Sequence, residues 1–343
     1  MMPLGAGAAA DLRETPEAVR RQADSLAAPV AALVRELLRR PPVGVVTCAR
    51  GSSAHAASFA KHLIELHVGI PVAAAAPNIA TIYHRPLRLK DHLFLAISQS
   101  GRSDDLIETT IMAKAGGALT VALVNDPESR LAAVAEIILP LGAGPERSIA
   151  ATKSFTASLA GLLRLTAQWT GSDAMRAACD GLPARLAAAS ELDWSEALDP
   201  LAIAHSLLTI GRGSTLAIAR EAALKFKEAC ALHAEAFSSA EFRHGPITLI
   251  ASAYPVLIFA PTDEAAAGLS DLAAELTGRG GCVLMTQPDG KPPGRLPALP
   301  AVQPDADAIC LIQSFYGFLI RLASRRGCDI DRPRHLQKVT RTR

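Results

Sequence analysis

LFLAISQSGRS, residues 93–103, runs from an apolar stretch straight into small hydroxyl residues and a glycine, and DDLIETTIMAKA follows at 104–115. That is the pattern of a buried parallel strand, a tight turn and a helix start. At the junction Ser98, Gln99, Ser100 and Ser103 offer hydroxyls and an amide. The first free N–H groups of the helix converge there too, with the positive end of its dipole, which makes an anion pocket suited to a phosphate. The same serines serve equally well as caps of the next helix.

The unit recurs outward from this stretch. VGVVTC (43–48) reads as a strand, ARGSS (49–53) as a turn and AHAASFAKHLIELH as a helix, while 70–76, 118–125 and 136–141 are further apolar strands. Strands alternating with helices predict an α/β fold, a parallel sheet covered on both faces. Upstream, Thr15, Pro16 and Glu17 read as an N-cap, a first helical proline and a first-turn acid, opening a helix to about Leu38 with a break near Ala28-Pro29. Downstream, GAGPERSIAATKSFTASLAGLLRLTAQW is a loop entering a long helix that carries Thr152, Lys153 and Ser154 near its start. Residues 171–200 read as short helices and turns, the best candidate for a linker.

The second half restates the first. SLLTIGRGSTLAIAREAALKFKE (206–228) is again strand, turn and helix, with Arg212-Gly213-Ser214 matching Arg50-Gly51-Ser52. Where the first half has its SQSG, the later unit has Pro261-Thr262-Asp263, an acid and a proline that spoil a phosphate cradle, so the anion belongs to the first half. The expected division is an N-terminal segment or helix (1–28), a phosphate-binding domain (29–170), a linker (171–200), a catalytic domain (201–325) and a tail (326–343) carrying Lys338.

With 343 residues the chain is long enough for two domains with full cores. Half the residues are apolar, aromatics are 4% and formal charge is +2; the basic C-terminal run reads as a solvated end, and no nucleic-acid partner is expected. Cys48, Cys179, Cys230, Cys282, Cys310 and Cys328 show no CxxC spacing, which predicts reduced, metal-free thiols. The N-terminus carries no signal-peptide pattern and no apolar stretch reaches spanning length, so the expectation is a soluble, cytoplasmic protein without a membrane partner.

The densest chemical text is EAALKFKEACALHAEAFSSAEFRHGP (221–246). On one helix Glu221, Lys225 and Glu228 fall at i, i+4 and i+7 and share a face. That stripe reads either as a surface salt-bridge ladder or as a carboxylate base with neighbours that tune it. His244 sits at a turn, as a structural hydrogen-bonder or an acid–base group. Lys338 lies in the tail, where an ordinary surface lysine is the plain expectation.

SQSGRSDD, PERSIAATKSFT, GRGSTLAIAREAALKFKEACALHAEAFSSAEFRHGP and DIDRPRHLQKVT, in that order, resemble the double sugar isomerase (SIS) domain of glucosamine-6-phosphate synthase, from about Gln22 to Thr340. The resemblance implies two tandem SIS domains, each a five-stranded parallel sheet between helices in a flavodoxin-like three-layer sandwich, and a homodimer with shared active sites. It implies that Ser53, Ser98, Gln99, Ser100 and Ser103 hold the sugar phosphate and that Glu228 moves a proton between C2 and C1. Lys225 and His244 would assist ring opening, His244 from the partner subunit; Lys338 would sit at C2, and Glu221 matches a further active-site acid. Ala151 stands where the family has a serine before its TK pair.

The chain starts almost at the isomerase domain, without the synthase's glutaminase domain, so the resemblance narrows to stand-alone SIS-type glucosamine-6-phosphate deaminases. The implied substrate is a phosphorylated amino sugar or ketose phosphate, with no cofactor and no metal. Plain aldose–ketose isomerisation and a synthase-like amination are the enzymatic alternatives. A non-catalytic sugar-phosphate sensor is the reading from another class; it predicts a DNA-binding module or lost catalytic residues, and Glu228, His244 and Lys338 are all present.

Overall fold

In the computed structural model, which describes residues 4–288 and 294–338, the chain forms two compact units. The N-sheet unit comprises Glu17–Glu146, Lys153–Asp180 and the segment from Gln337; the C-sheet unit comprises the segment up to Pro16, Arg147–Thr152 and Gly181–Leu336.

The N-sheet unit carries five strands, β1 Gly44–Cys48, β2 Val72–Ala74, β3 His92–Ser98, β4 Leu119–Val124 and β5 Ile137–Pro140, all parallel in the order β2-β1-β3-β4-β5. Its helices are most of α1 (Ala6–Arg39), α2 (Ser52–Leu63), α3 (Asn78–Thr81), α4 (Asp104–Ala115), α5 (Arg130–Val134) and α6 (Lys153–Thr170). Every residue of β3 after His92 is buried, because helices cover both faces. Phe94 and Ala96 pack with Leu106, Ile107, Ala122 and Leu131 into one apolar cluster.

The C-sheet unit repeats that plan. Strands β6 Ser206–Gly211, β7 His233–Ser238, β8 Pro255–Ile258, β9 Cys282–Gln287 and β10 Arg295–Pro297 are all parallel in the order β10-β9-β8-β6-β7, the same winding as the first sheet. Around it lie α8 (Leu198–Ala202), α9 (Thr215–Cys230), α10 (Leu269–Gly278) and α11 (Pro304–Arg325), and α7 (Asp173–Ser190) leads in from the first unit. The scarce aromatics gather here: Phe315 on α11 meets Phe226 on α9 edge to face at 5.1 Å, with Phe259, Phe318 and Tyr316 at 5.9–6.2 Å. α11 is long and apolar enough to cross a membrane, but 83% of its apolar window is buried inside the protein, as in a core helix.

Three local expectations fail for reasons outside local sequence. α1 begins at Ala6 rather than at Pro16 and passes unbroken through Pro16 and Pro29. Pro16 cannot donate to the carbonyl of Leu12, and the side-chain amide of Gln313 donates to it instead at 3.0 Å. Thr15 is no N-cap; its hydroxyl donates back to Asp11 O at 2.9 Å. The segment 171–200, expected as short helices and turns, is mostly one 18-residue helix, α7, with Pro183 inside it. Here Arg164 Nη2 donates to Cys179 O at 3.1 Å, the carbonyl that Pro183 leaves open. Finally, HAEAFS at 233–238, within the stretch dense in chemical side chains, is the edge strand β7, whose half-exposed pattern gives no apolar run. The last five residues, including Thr340 of the family resemblance, lie outside the described residues.

Candidate active site

In the N-sheet unit the chain leaves β1 for β2 on one side and returns to β3 on the other, so β1 and β3 flank the point where the winding reverses. Ligands of open α/β sheets bind outside the carboxyl ends of the strands at that point. The two turns that end there are the ones singled out from sequence, 49–53 before α2 and 99–103 before α4. Gly101 takes φ +61°, and a Cβ there would lie 2.1 Å from Ser129 Oγ, so only glycine fits. Its N–H donates to Ser98 Oγ at 3.1 Å, and Arg102 N donates to Ser100 Oγ at 3.3 Å.

Ser103 occupies the N-cap position of α4 with extended backbone, yet its hydroxyl makes no capping bond. Among the described residues the side chains of Ser53, Gln99 and Ser103 have no hydrogen-bond partner. Ser98 and Ser100 thus accept from the loop's own backbone and keep their O–H hydrogens to donate, while the side chains of Ser53, Gln99 and Ser103 are uncommitted.

Two acids, Asp104 and Asp105, stand in the first turn of α4, and each is paired with an arginine. Arg50 Nε lies 2.8 Å from Asp105 Oδ2, and Arg130 Nη1 lies 2.6 Å from Asp104 Oδ1. The first pair bolts the turn after β1 to the helix after β3. Sequence reading missed this role for Arg50, although RGSS was in view, because its partner lies 55 residues away.

Past β5 the chain folds back on the end of β4, Asn125 holding Gly144 O and Ala143 N at 2.9 Å each. This delivers Glu146, whose side chain is 1% exposed and lies 3.6 Å from Lys338 Nζ. Glu146 also accepts Ser154 N at 3.1 Å and Ser154 Oγ at 2.7 Å at the start of α6. The tail lysine is therefore tethered to the N-sheet unit rather than loose. PERSIAATKSFT pointed to this loop, but Glu146 itself was not singled out.

In the C-sheet unit, α9 follows a turn as tight as the first: a Cβ on Gly211 would lie 2.3 Å from Thr215 O. Glu221 and Lys225 are fully buried, so their stripe is no surface ladder. Lys225 Nζ is 2.5 Å from Glu228 Oε2 and 3.4 Å from Glu221 Oε1, and the Glu228 side chain stays 21% exposed. Lys225 thus lies buried between two carboxylates, of which the one on Glu228 is within reach of solvent. Tyr316 Oη on α11 donates to Glu221 Oε1 at 3.2 Å.

His244 is exposed on the turn after β7, its N–H donating to Glu241 O at 2.9 Å. The loop after β8 commits its polar side chains to the fold: Thr262 Oγ1 donates to Asp307 Oδ2 at 2.7 Å, and Asp263 caps Ala265 N at 3.0 Å. The predicted residues thus fall into two sets. Ser53, Ser98, Gln99, Ser100, Ser103 and Lys338 belong to the N-sheet unit, and Glu221, Lys225, Glu228 and His244 to the C-sheet unit. Among the described residues no group of three or more His, Cys, Asp or Glu side chains is placed to hold a metal ion.

Two flavodoxin-wound sheets, one with uncommitted serines at its switch point and one with a buried acid–amine–acid set, define a doubled α/β protein built around small-molecule chemistry. The chain belongs to the SIS-domain family, whose pattern matches residues 42–166 and 201–296. It is 31% identical over 315 residues to glutamine–fructose-6-phosphate aminotransferase (isomerizing) of Bradyrhizobium diazoefficiens, covering 86% of this chain and 51% of that protein. The chain therefore spans about half the length of the curated relatives it matches. Its structure is similar to a candidate phosphosugar isomerase of Silicibacter pomeroyi, at 42% identity and TM-score 0.87 over 95% of this chain and 99% of the other. It shares its fold with the glucosamine-6-phosphate deaminase of Thermotoga maritima, at 21% identity and TM-score 0.75 over 96% and 100% of the two chains.

Proposed function

We propose that this protein is an amino-sugar-phosphate isomerase and deaminase that converts glucosamine 6-phosphate and water to fructose 6-phosphate and ammonia. The observation that carries the reading is the Lys225/Glu228 pair: a carboxylate at the edge of burial with an ammonium 2.5 Å away is placed to act as a base in carbon acid chemistry.

Ser53, Ser98, Gln99, Ser100 and Ser103, with the N-terminal N–H groups of α2 and α4, hold the phosphate. His244, from the partner subunit of a homodimer, and Lys225 assist ring opening. Glu228 takes the proton from C2 of the open aldehyde, giving an enolamine, and returns it to C1, giving an imine at C2. Water adds to that imine and ammonia leaves. Lys338 sits at C2, and Glu221 holds Lys225 in place. Donors aimed at the charge that develops on oxygen and nitrogen stabilise the transition state.

Released ammonia is mostly protonated at neutral pH, which draws the reaction toward fructose 6-phosphate. The cytoplasm, where free cysteines stay reduced, is the compartment this reading assigns.

The test is to incubate purified protein with glucosamine 6-phosphate, galactosamine 6-phosphate and glucose 6-phosphate and to quantify ammonium and ketose phosphate. Equimolar ammonium and fructose 6-phosphate from the gluco amino sugar supports the proposal. Ketose phosphate from glucose 6-phosphate without ammonium from either amino sugar refutes it in favour of plain isomerisation.

A further inference from the structure

Two carboxylates on α9 compete for one ammonium at the edge of the core: the Glu221 and Lys225 side chains are 0% and 1% exposed, and Glu228 is 21% exposed. Two carboxylates share one ammonium, and the sharing is unequal, 2.5 Å to Glu228 against 3.4 Å to Glu221. A buried carboxylate needs hydrogen-bond donors. If Lys225 were the chief donor to both, it would settle between them and loosen its hold on Glu228.

A second helix supplies another donor. Tyr316 on α11 is 1% exposed, and its hydroxyl donates to Glu221 Oε1 at 3.2 Å. The turn that carries it is fixed by its neighbour, since Phe315 stacks edge to face on Phe226 of α9 at 5.1 Å. Tyrosine hydroxyls in cores are hydrogen-bonded as a rule, but this one reaches a charged acid that touches the lysine of the proposed base.

We propose that Tyr316 is a positioning residue for Glu228. By taking part of the hydrogen-bonding demand of Glu221, its hydroxyl leaves the Lys225 ammonium seated against Glu228, which fixes the orientation of the carboxylate that abstracts the C2 proton. The inference rests on the assignment of Glu228 as the base. Tyr316 touches no substrate atom in this scheme and acts through two intervening side chains. Phosphate binding, located at the serine turns, is independent of it.

The experiment is Tyr316→Phe, which keeps the ring and its packing and deletes one oxygen, measured with Glu221→Gln and the double variant on glucosamine 6-phosphate. Loss of a hydrogen bond to a charged group predicts a fall in kcat of roughly tenfold with KM within about twofold of wild type. Because both changes break one chain of contacts, the double variant falls no further than Glu221→Gln alone. A kcat for Tyr316→Phe within about twofold of wild type, a rise in KM alone, or additive losses would overturn the inference. The three variants are also scanned for Tm. Non-additive Tm losses support the Tyr316/Glu221 link and additive ones overturn it, even if the wild type turns over none of the sugars and only the functional assignment fails.

Discussion

Replacing Arg50 with methionine isolates what holds the two serine turns together. The guanidinium is 53% exposed while its partner carboxylate on Asp105 is 1% exposed, so the variant strands a buried charge. Breaking a fully buried pair costs about 3–5 kcal/mol, and water reaching this half-exposed position lowers the expectation to roughly 2 kcal/mol. For units of this size that is a fall in Tm of about 4–8 °C. If the serine turns hold the phosphate as proposed, the unpaired carboxylate beside them repels it, so KM for glucosamine 6-phosphate rises about tenfold while kcat holds. Asp105→Asn removes the charge instead and leaves an arginine that solvent can hydrate, so it is the milder change. The double variant, with neither charge, recovers most of the Tm lost in Arg50→Met. Scanning calorimetry and steady-state kinetics on the three proteins decide the matter. An Arg50→Met protein with wild-type Tm and KM, or additive losses in the double variant, refutes the reasoning.

Three other outcomes follow from particular contacts. Gly101→Ala forces a side chain onto Ser129 at φ +61°, so KM rises at least about tenfold by distortion of the turn; a wild-type KM would remove Gly101 from the cradle. Arg326 donates Nε to Cys230 O at 2.9 Å and Nη1 to Ala202 O at 2.7 Å, closing the ends of α9 and α8. Arg326→Ala therefore costs about 2–3 kcal/mol of stability, and a urea midpoint equal to wild type contradicts it. Burial holds the Cys48, Cys230 and Cys310 thiols at about 12 in the folded protein, above their ordinary 9.0. A folded value above the unfolded one gives stability that is complete below about pH 9 and lost as pH rises toward 12. Thiolate ultraviolet absorbance at about pH 10 should stay low until urea unfolds the chain, and full absorbance in the native protein contradicts burial as the cause.

The strands of the first sheet and the doubled architecture were legible because each buried strand is written as an apolar run with a small-residue turn behind it. The serine turn at 98–103 was legible for the same reason: glycine and hydroxyls in that place have few other uses. The partners were not legible. Pro16 reads as a helix start until Gln313 is seen answering Leu12 from 301 residues away. Arg50 and Glu146 read as loop residues because Asp105 and Lys338 meet them only in three dimensions. β7 escaped because an edge strand alternates charge with apolar residues instead of running apolar. The face shared by Glu221, Lys225 and Glu228 was predictable from helical spacing, but its burial, which separates a base from a surface ladder, depends on α11.

The central claim is that Glu228 carries the proton between C2 and C1, and it is tested most directly with Glu228→Gln. Substrate affinity by titration calorimetry should stay within about twofold of wild type, because the proposed phosphate contacts are at the serine turns, while ammonium release should fall by roughly 10² to 10⁴. Transfer of deuterium from C2 to C1 of labelled glucosamine 6-phosphate should vanish with it. A Glu228→Gln protein that binds, turns over and moves the label as wild type does would contradict the account.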